Sequence, residues 1–229
     1  MTILCIETST SVCSAAICKD GEPIKQCINR EDGNHARLLP RYIEELLSFA
    51  REQSLSIDAV ALSEGPGSYT GLRIGTSTAK GLCYGLNVPL IPVPTLEVLC
   101  EAAKQRLEVR GERLEDTIFL PLIDARRMEV YTLAEDGKAR AVVVENEDSL
   151  TPVPRTPYTI YYFGDGAEKC SKIFTKPDWH FIPGIVPEAQ YMGRLANERL
   201  VISGEKVAYY EPYYLKEFIA APSHVKGLQ

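Results

Sequence analysis

Two carboxylates and one glycine-rich loop are the places in this 229-residue chain where residue type and spacing could do chemistry. Glu7 closes an apolar run and is followed by Thr8 and Ser9; Asp124 closes another and is followed by Ala125, Arg126 and Arg127. Two such carboxylates facing one cleft could hold magnesium and orient a nucleotide phosphate. In the other reading each caps its own turn by accepting backbone N–H bonds. Ala125 offers no hydroxyl and the arginines would crowd a metal, which favours the turn. The loop Gly65-Pro66-Gly67-Ser68 stands ahead of a helical stretch, where consecutive N–H groups could cradle an anion. Its glycines suit a tight, closely packed strand-to-helix turn equally well. No Gly-Lys-Ser/Thr follows, so it is not a Walker loop.

Other chemistries find little to work with. His35 meets Leu39 four residues on, so an H-x-x-x-H metal pair is broken; His180, in a loop-like stretch, and His224 stand alone. The seven cysteines form no C-x-x-C pair and sit largely in apolar runs, as buried thiols of a reducing compartment do. No Gly-x-Ser-x-Gly elbow is present. We expect no metal, no resident cofactor and no catalytic residue, with ADP or ATP only at a subunit interface.

The elements that must position these residues come in two series. Residues 3–6, 12–18 and 24–28 read as a three-stranded meander turning at Asp20-Gly21. Asn34 is the expected N-cap of a helix carrying an apolar stripe, with Pro40 bending its first turns. A strand over 58–62, a helix over 71–86, a strand over 88–93 and a helix over 95–107 follow. The second series opens likewise: a strand over 118–123 ends in Asp124, 128–133 and 141–144 flank the Asp136-Gly137 turn, and 159–163 ends in Gly164-Asp165-Gly166. Acid and turn lie thirteen residues apart in the first series and twelve in the second. This spacing predicts an internal duplication: an α/β protein of two β-β-β-α-β-α lobes, the actin-like (ribonuclease H-like, ASKHA) architecture. The lobes would be 1–110 and 111–229, hinged at Gly111-Glu112-Arg113, with the C-terminal segment free to return to the first. Pro152, Pro154 and Pro157 predict a loop in place of the second lobe's first helix.

Both long helices of the first lobe show more apolar or small-residue surface than one sheet contact needs. Leu38, Leu39, Tyr42, Ile43 and Leu46 on one, with Leu72, Gly75, Thr76, Ala79 and Cys83 on the other, are the expected partner interface. A net charge of −6 with no basic stripe predicts weak binding of RNA by the isolated chain. No apolar run is long enough for a transmembrane helix and no signal-like leader is seen, so a cytoplasmic location without membrane contact is expected.

Several motifs resemble one family. Ile6-Glu7-Thr8-Ser9-Thr10 resembles its I-D-T-S strand, and His35-Ala36-Arg37-Leu38-Leu39-Pro40 its H-S-x-x-L-x-P helix start. The run Gly65-Pro66-Gly67-Ser68-Tyr69-Thr70-Gly71-Leu72-Arg73-Ile74-Gly75 resembles its G-P-G-S-F-T-G-L-R-I-G signature, continued by Lys80-Gly81-Leu82. Asp124 to Tyr131 resembles its D-A-R-x-x-E-V-Y strand; Gly164-Asp165-Gly166-Ala167 and Glu211 to Lys216 also match. The family is the glycoprotease-like one, on its non-catalytic TsaB side. The resemblance implies a scaffold that dimerises with a TsaD-like catalytic subunit, is joined by a TsaE-like ATPase, forms a homodimer when alone and meets tRNA only indirectly. Together they make threonylcarbamoyladenosine at position 37 of tRNA. Glu7 stands where the family has aspartate, which counts against a nucleotide role. The alternative from another class is a nucleotide-hydrolysing or peptidase-like enzyme of the same fold, drawn from Glu7, Asp124 and the Gly65–Gly67 loop.

Overall fold

A computed structural model describes residues 1–31, 34–111, 114–150, 158–199 and 201–216. Glu112, Arg113, Pro152, Pro154, Pro157 and His224 fall outside the described residues. Strands β1 (Thr2–Glu7), β2 (Cys13–Lys19) and β3 (Glu22–Asn29) form an antiparallel meander. Asp20 and Gly21, at φ 52° and 90°, supply the left-handed turn between the last two. Helix α1 (His35–Glu52), strand β4 (Ala59–Gly65), helix α2 (Tyr69–Leu86), strand β5 (Leu90–Pro94) and helix α3 (Thr95–Val109) follow. The sheet order is β3-β2-β1-β4-β5, with β4 parallel to both β1 and β5. Asn34 stands at the N-cap of α1, but its side chain makes no capping bond.

Both faces of this sheet are covered, so β1 is buried along its whole length. On one face Leu4, Ile6, Ile17, Val60 and Leu62 meet the buried stripe Leu39, Ile43, Leu46 and Ala50 of α1, together with Ala79 and Cys83 of α2. The opposite face is built from smaller side chains: Cys5, Ala16, Cys18, Ala59 and Ala61. Val98 of α3 packs there, and so do residues from much later in the chain.

The second series begins with β6 (Thr117–Pro121) and β7 (Ile123–Asp124), where one strand was expected. The break falls at Leu122. Up to that residue the chain bonds to β10 (Thr159–Phe163), ending with Leu122 N–H to Phe163 O at 2.8 Å; beyond it the partner is β8 (Glu129–Leu133). β8 pairs in turn with β9 (Ala139–Val143). The stretch around His180, expected to be loop, is strand β11 (Trp179–Ile182), parallel to β10. Only four residues long, it alternates too briefly to show in the sequence. Helix α4 (Ala167–Cys170) separates the two.

The chain then returns to the first sheet through α5 (Met192–Asn197), whose Met192 and Ala196 pack on the small-residue face. Glu188, 4% exposed, fixes the return by accepting from Arg30 at 2.6 Å, Gln26 at 3.0 Å and Gln190 at 2.8 Å. Ala189 N–H donates to the Ser14 hydroxyl at 2.9 Å. Ile202 bridges to Leu90 on β5. Among the described residues no helix is long and apolar enough to cross a membrane.

Candidate functional site

Glu7 ends β1 and is fully buried. Its Oε1 accepts the Ser9 amide at 2.6 Å and the Ser9 hydroxyl, while Oε2 has no partner among the described residues. Burial pushes the carboxyl pKa up, against the lowering effect of the Ser9 hydrogen bonds and of the nearby Ser63 and Thr8 dipoles. No cation is among the groups acting on it. A buried carboxylate without a counter-ion is costly, so folding shifts the group toward its protonated form.

The sign of the pH effect follows. With the folded pKa above the unfolded one, folding must take up a proton once the unfolded chain has ionised. That opposes stability as pH rises past the ordinary carboxylate value, and the opposition is absent below it. Glu7→Gln keeps the acceptor for Ser9 without the charge. It is expected to raise the melting temperature at neutral pH and to change it little near pH 4. Thermal melts at both pH values check this; a variant less stable at neutral pH would refute it.

The glycine-rich loop is a seam rather than an open cradle. Thr8 Oγ1 donates to Gly71 O at 2.9 Å, and Ser68 N–H donates to Ser9 O at 2.6 Å. The Ser68 side chain caps α2 by accepting from Gly71 N–H at 3.3 Å. A Cβ on Gly67 would lie 2.2 Å from Ser9 O, and one on Gly71 would lie 2.0 Å from Thr8 O. The glycines let the start of α2 touch the backbone of the turn between β1 and β2.

Asp124 is exposed at the end of β7. It accepts from Arg126 N–H at 3.1 Å and pairs with the Lys169 ammonium. Lys169 also donates to Arg127 O at 2.8 Å and Glu129 O at 2.7 Å, so the lysine already fills an oxygen-lined cation position. Arg126 and Arg127 adopt left-handed backbone, at φ 71° and 51°. No hydrogen bond or ion pair joins Glu7 to Asp124 among the described residues. Nor does any group of three or more His, Cys, Asp or Glu there have metal-holding geometry. His35 Nε2 lies 3.1 Å from Val12 O, and Leu39 is in the core.

The expected interface residues need correcting. Leu39, Ile43 and Leu46 on α1, and Leu72, Gly75, Thr76, Ala79 and Cys83 on α2, are buried within the single chain. Leu38 and Tyr42 are half-buried against the same core. The buried stripe faces the chain's own sheet, and of the expected residues only Leu38 and Tyr42 keep surface that a partner could reach. Outward the two helices present a groove of about 530 Å³ lined by Ala36 and Pro40 of α1 and by Tyr69, Arg73, Ile74 and Ser77 of α2. Sequence reading also passed over Tyr84 and Tyr209, which are 92% and 84% exposed.

Fold and site together define a mixed α/β protein with a sealed glycine seam and an open two-helix face. Two solved structures of YeaZ-type proteins from Pseudomonas aeruginosa share this fold. One has a TM-score of 0.71 at 23% identity, covering 94% of this chain and 99% of that one. The other has a TM-score of 0.70 at 25% identity, covering 93% and 99%. A family profile described as TsaD, tRNA N6-adenosine threonylcarbamoyltransferase, matches residues 30–220, and the chain belongs to that family. Within it the chain is similar to proteins named tRNA threonylcarbamoyladenosine biosynthesis protein TsaB. That of Haemophilus influenzae is 34% identical over 132 residues, covering 57% of this chain and 52% of the relative. That of Escherichia coli is 36% identical over 131 residues, covering 57% and 53%. In these matches the chain spans about half the length of the relatives. The TsaB of one Buchnera aphidicola is matched nearly end to end, 26% identical over 230 residues and covering 94% and 98%.

Proposed function

We propose that this chain is a TsaB-like, non-catalytic subunit of a cytoplasmic assembly that forms threonylcarbamoyladenosine at position 37 of tRNA. It docks on a TsaD-like catalytic subunit, a TsaE-like ATPase joins the pair, and the chain pairs with itself when alone. Any ADP or ATP sits at a subunit interface. Its two lobes, 1–110 and 111–229, arose by duplication of one actin-like unit. Supporting the last point, β9-β8-β7 and β6-β10-β11 read through Leu122 repeat the order of the first sheet.

The observation that carries the reading is the groove between α1 and α2. An outward two-helix face lined by small and apolar side chains, with Tyr69 and Arg73 among them, suits a related helix pair. The non-catalytic part draws support from Leu39 in the core, from the sealed glycine seam and from the lysine at Asp124. Mixing the chain with the catalytic subunit and measuring complex mass tests the docking, and assaying each alone tests the division of labour. A chain that transfers threonylcarbamoyl or hydrolyses nucleotide unaided would overturn it.

A further inference from the structure

On helix α2, at 100° per residue, Arg73, Lys80 and Tyr84 fall in one line that starts at the edge of the groove, where Arg73 is also a lining residue, and runs beyond it toward the end of the helix; Ile74 and Thr78 lie about a quarter-turn or more away. The segment 208–216 runs beside this line. Lys80 donates to Ala208 O at 2.7 Å, and the residue that follows, Tyr209, is 84% exposed. Tyr213 N–H donates to Glu64 O at 2.7 Å, and Tyr214 packs on Tyr69 with ring centroids 4.9 Å apart. Arg73 lies over the Tyr69 ring at 5.0 Å. At the far end Lys216 reaches the second half of the chain, pairing with Glu129 and lying 5.9 Å from the Tyr131 ring. Beyond it comes the turn that carries Arg126 and Arg127.

The result is a path on which aromatic rings and cations alternate from α2 to β8. Its principal members are Tyr84, Lys80, Tyr209, Arg73, Tyr214 and Lys216. Two of the nearby acids are already neutralised, Glu129 by Lys216 and Asp124 by Lys169; Glu205 and Glu211 are exposed on the same segment. Exposed rings spaced between cations are the arrangement that stacks bases while tracking a phosphate backbone. A duplex offers no open base face to such rings, and a carboxylate-bearing partner would have no use for them.

We propose that this path binds single-stranded RNA. The choice of RNA over DNA rests on the function proposed above; the single-strand preference rests on the rings alone. The chain's net charge keeps the affinity low, and within an assembly the path would add to contacts made by a partner subunit.

The test uses the full chain alone, so its outcome is independent of whether the chain assembles with a partner. Fluorescence anisotropy with a labelled oligouridylate of about ten nucleotides, at low salt, should show weak binding. The dependence of log affinity on log salt should have a slope of about −2, as three contacting cations give. Tyr84→Ala with Tyr209→Ala should weaken binding about tenfold, and Lys80→Glu should flatten the salt slope. Both tyrosines are so exposed that folding should be unaffected, as circular dichroism would verify. Val109→Ala, a comparably exposed apolar residue at the end of α3, should leave binding unchanged. No binding by the wild-type chain, equal binding by the tyrosine variant, or equal affinity for a duplex of the same length would each overturn the proposal.

Discussion

Gly71→Ala is expected to lower the melting temperature by about six to twelve degrees. The added methyl would sit 2.0 Å from Thr8 O, a backbone atom held on both sides: Thr8 belongs to the buried turn after β1, and its hydroxyl already donates to Gly71 O. Relief requires α2 to shift away from the sheet, and overpacking of this kind costs about 3 kcal/mol. In a chain of this size each kcal/mol moves the melting temperature by about two to four degrees. Gly81→Ala in the same helix meets nothing within 4 Å. It should stabilise by up to about 1 kcal/mol through helix propensity alone. Opposite signs for one substitution at two positions of one helix are the test. If both are neutral, or both destabilise alike, the seam does not have the packing described here.

Ile74→Glu is expected to abolish the complex with the catalytic subunit while leaving the fold intact. Ile74 lines the outer groove and is half-buried in the free chain, so water still reaches a charge placed there. In a docked complex that charge would be enclosed among apolar side chains. A loss of about 3 kcal/mol, more than a hundredfold in affinity, is the ordinary scale for such a change. Leu46→Glu is the contrast. Leu46 is fully buried against the chain's own sheet, so that variant should fail to fold rather than merely fail to bind. Circular dichroism, followed by size-exclusion with light scattering on the mixture, separates the two. Normal complex formation by Ile74→Glu would place the interface on another surface.

The sequence carried much of this architecture and misread one part of it. The meander, both long helices and the Gly65–Gly75 run follow from local signals: a two-residue turn, an apolar stripe, and glycines too many for a free helix. Helical periodicity shows that Leu39, Ile43 and Leu46 share a face, but not what lies opposite. They cover the sheet, and the outward groove lies along the less apolar neighbouring strip. Both readings of the glycine loop were open until Thr8 and Ser9 were seen against it, because close approach is a property of two segments. The aromatic and basic path was hidden for the same reason. Its residues come from α2, from 208–216 and from the start of β8, and no stretch of chain holds enough of them to register as basic. Strand β11 and helix α5 are too short to impose a period on the sequence.

The return of the chain through Glu188 and α5 has a consequence for biosynthesis. The N–H of Ala189 reaches the hydroxyl of Ser14 across 175 positions. A ribosome therefore delivers the whole first sheet well before its second cover exists. Until residues 189–196 emerge, Cys5, Ala16, Cys18 and Ala59 have on that face only the partial cover that Val98 of α3 provides. Surfaces left open in this way are where growing chains associate wrongly. The small size of those side chains limits how much grease is shown, and the late arrival of Met192 and Ala196 makes closure of the sheet one of the last steps of folding rather than one of the first.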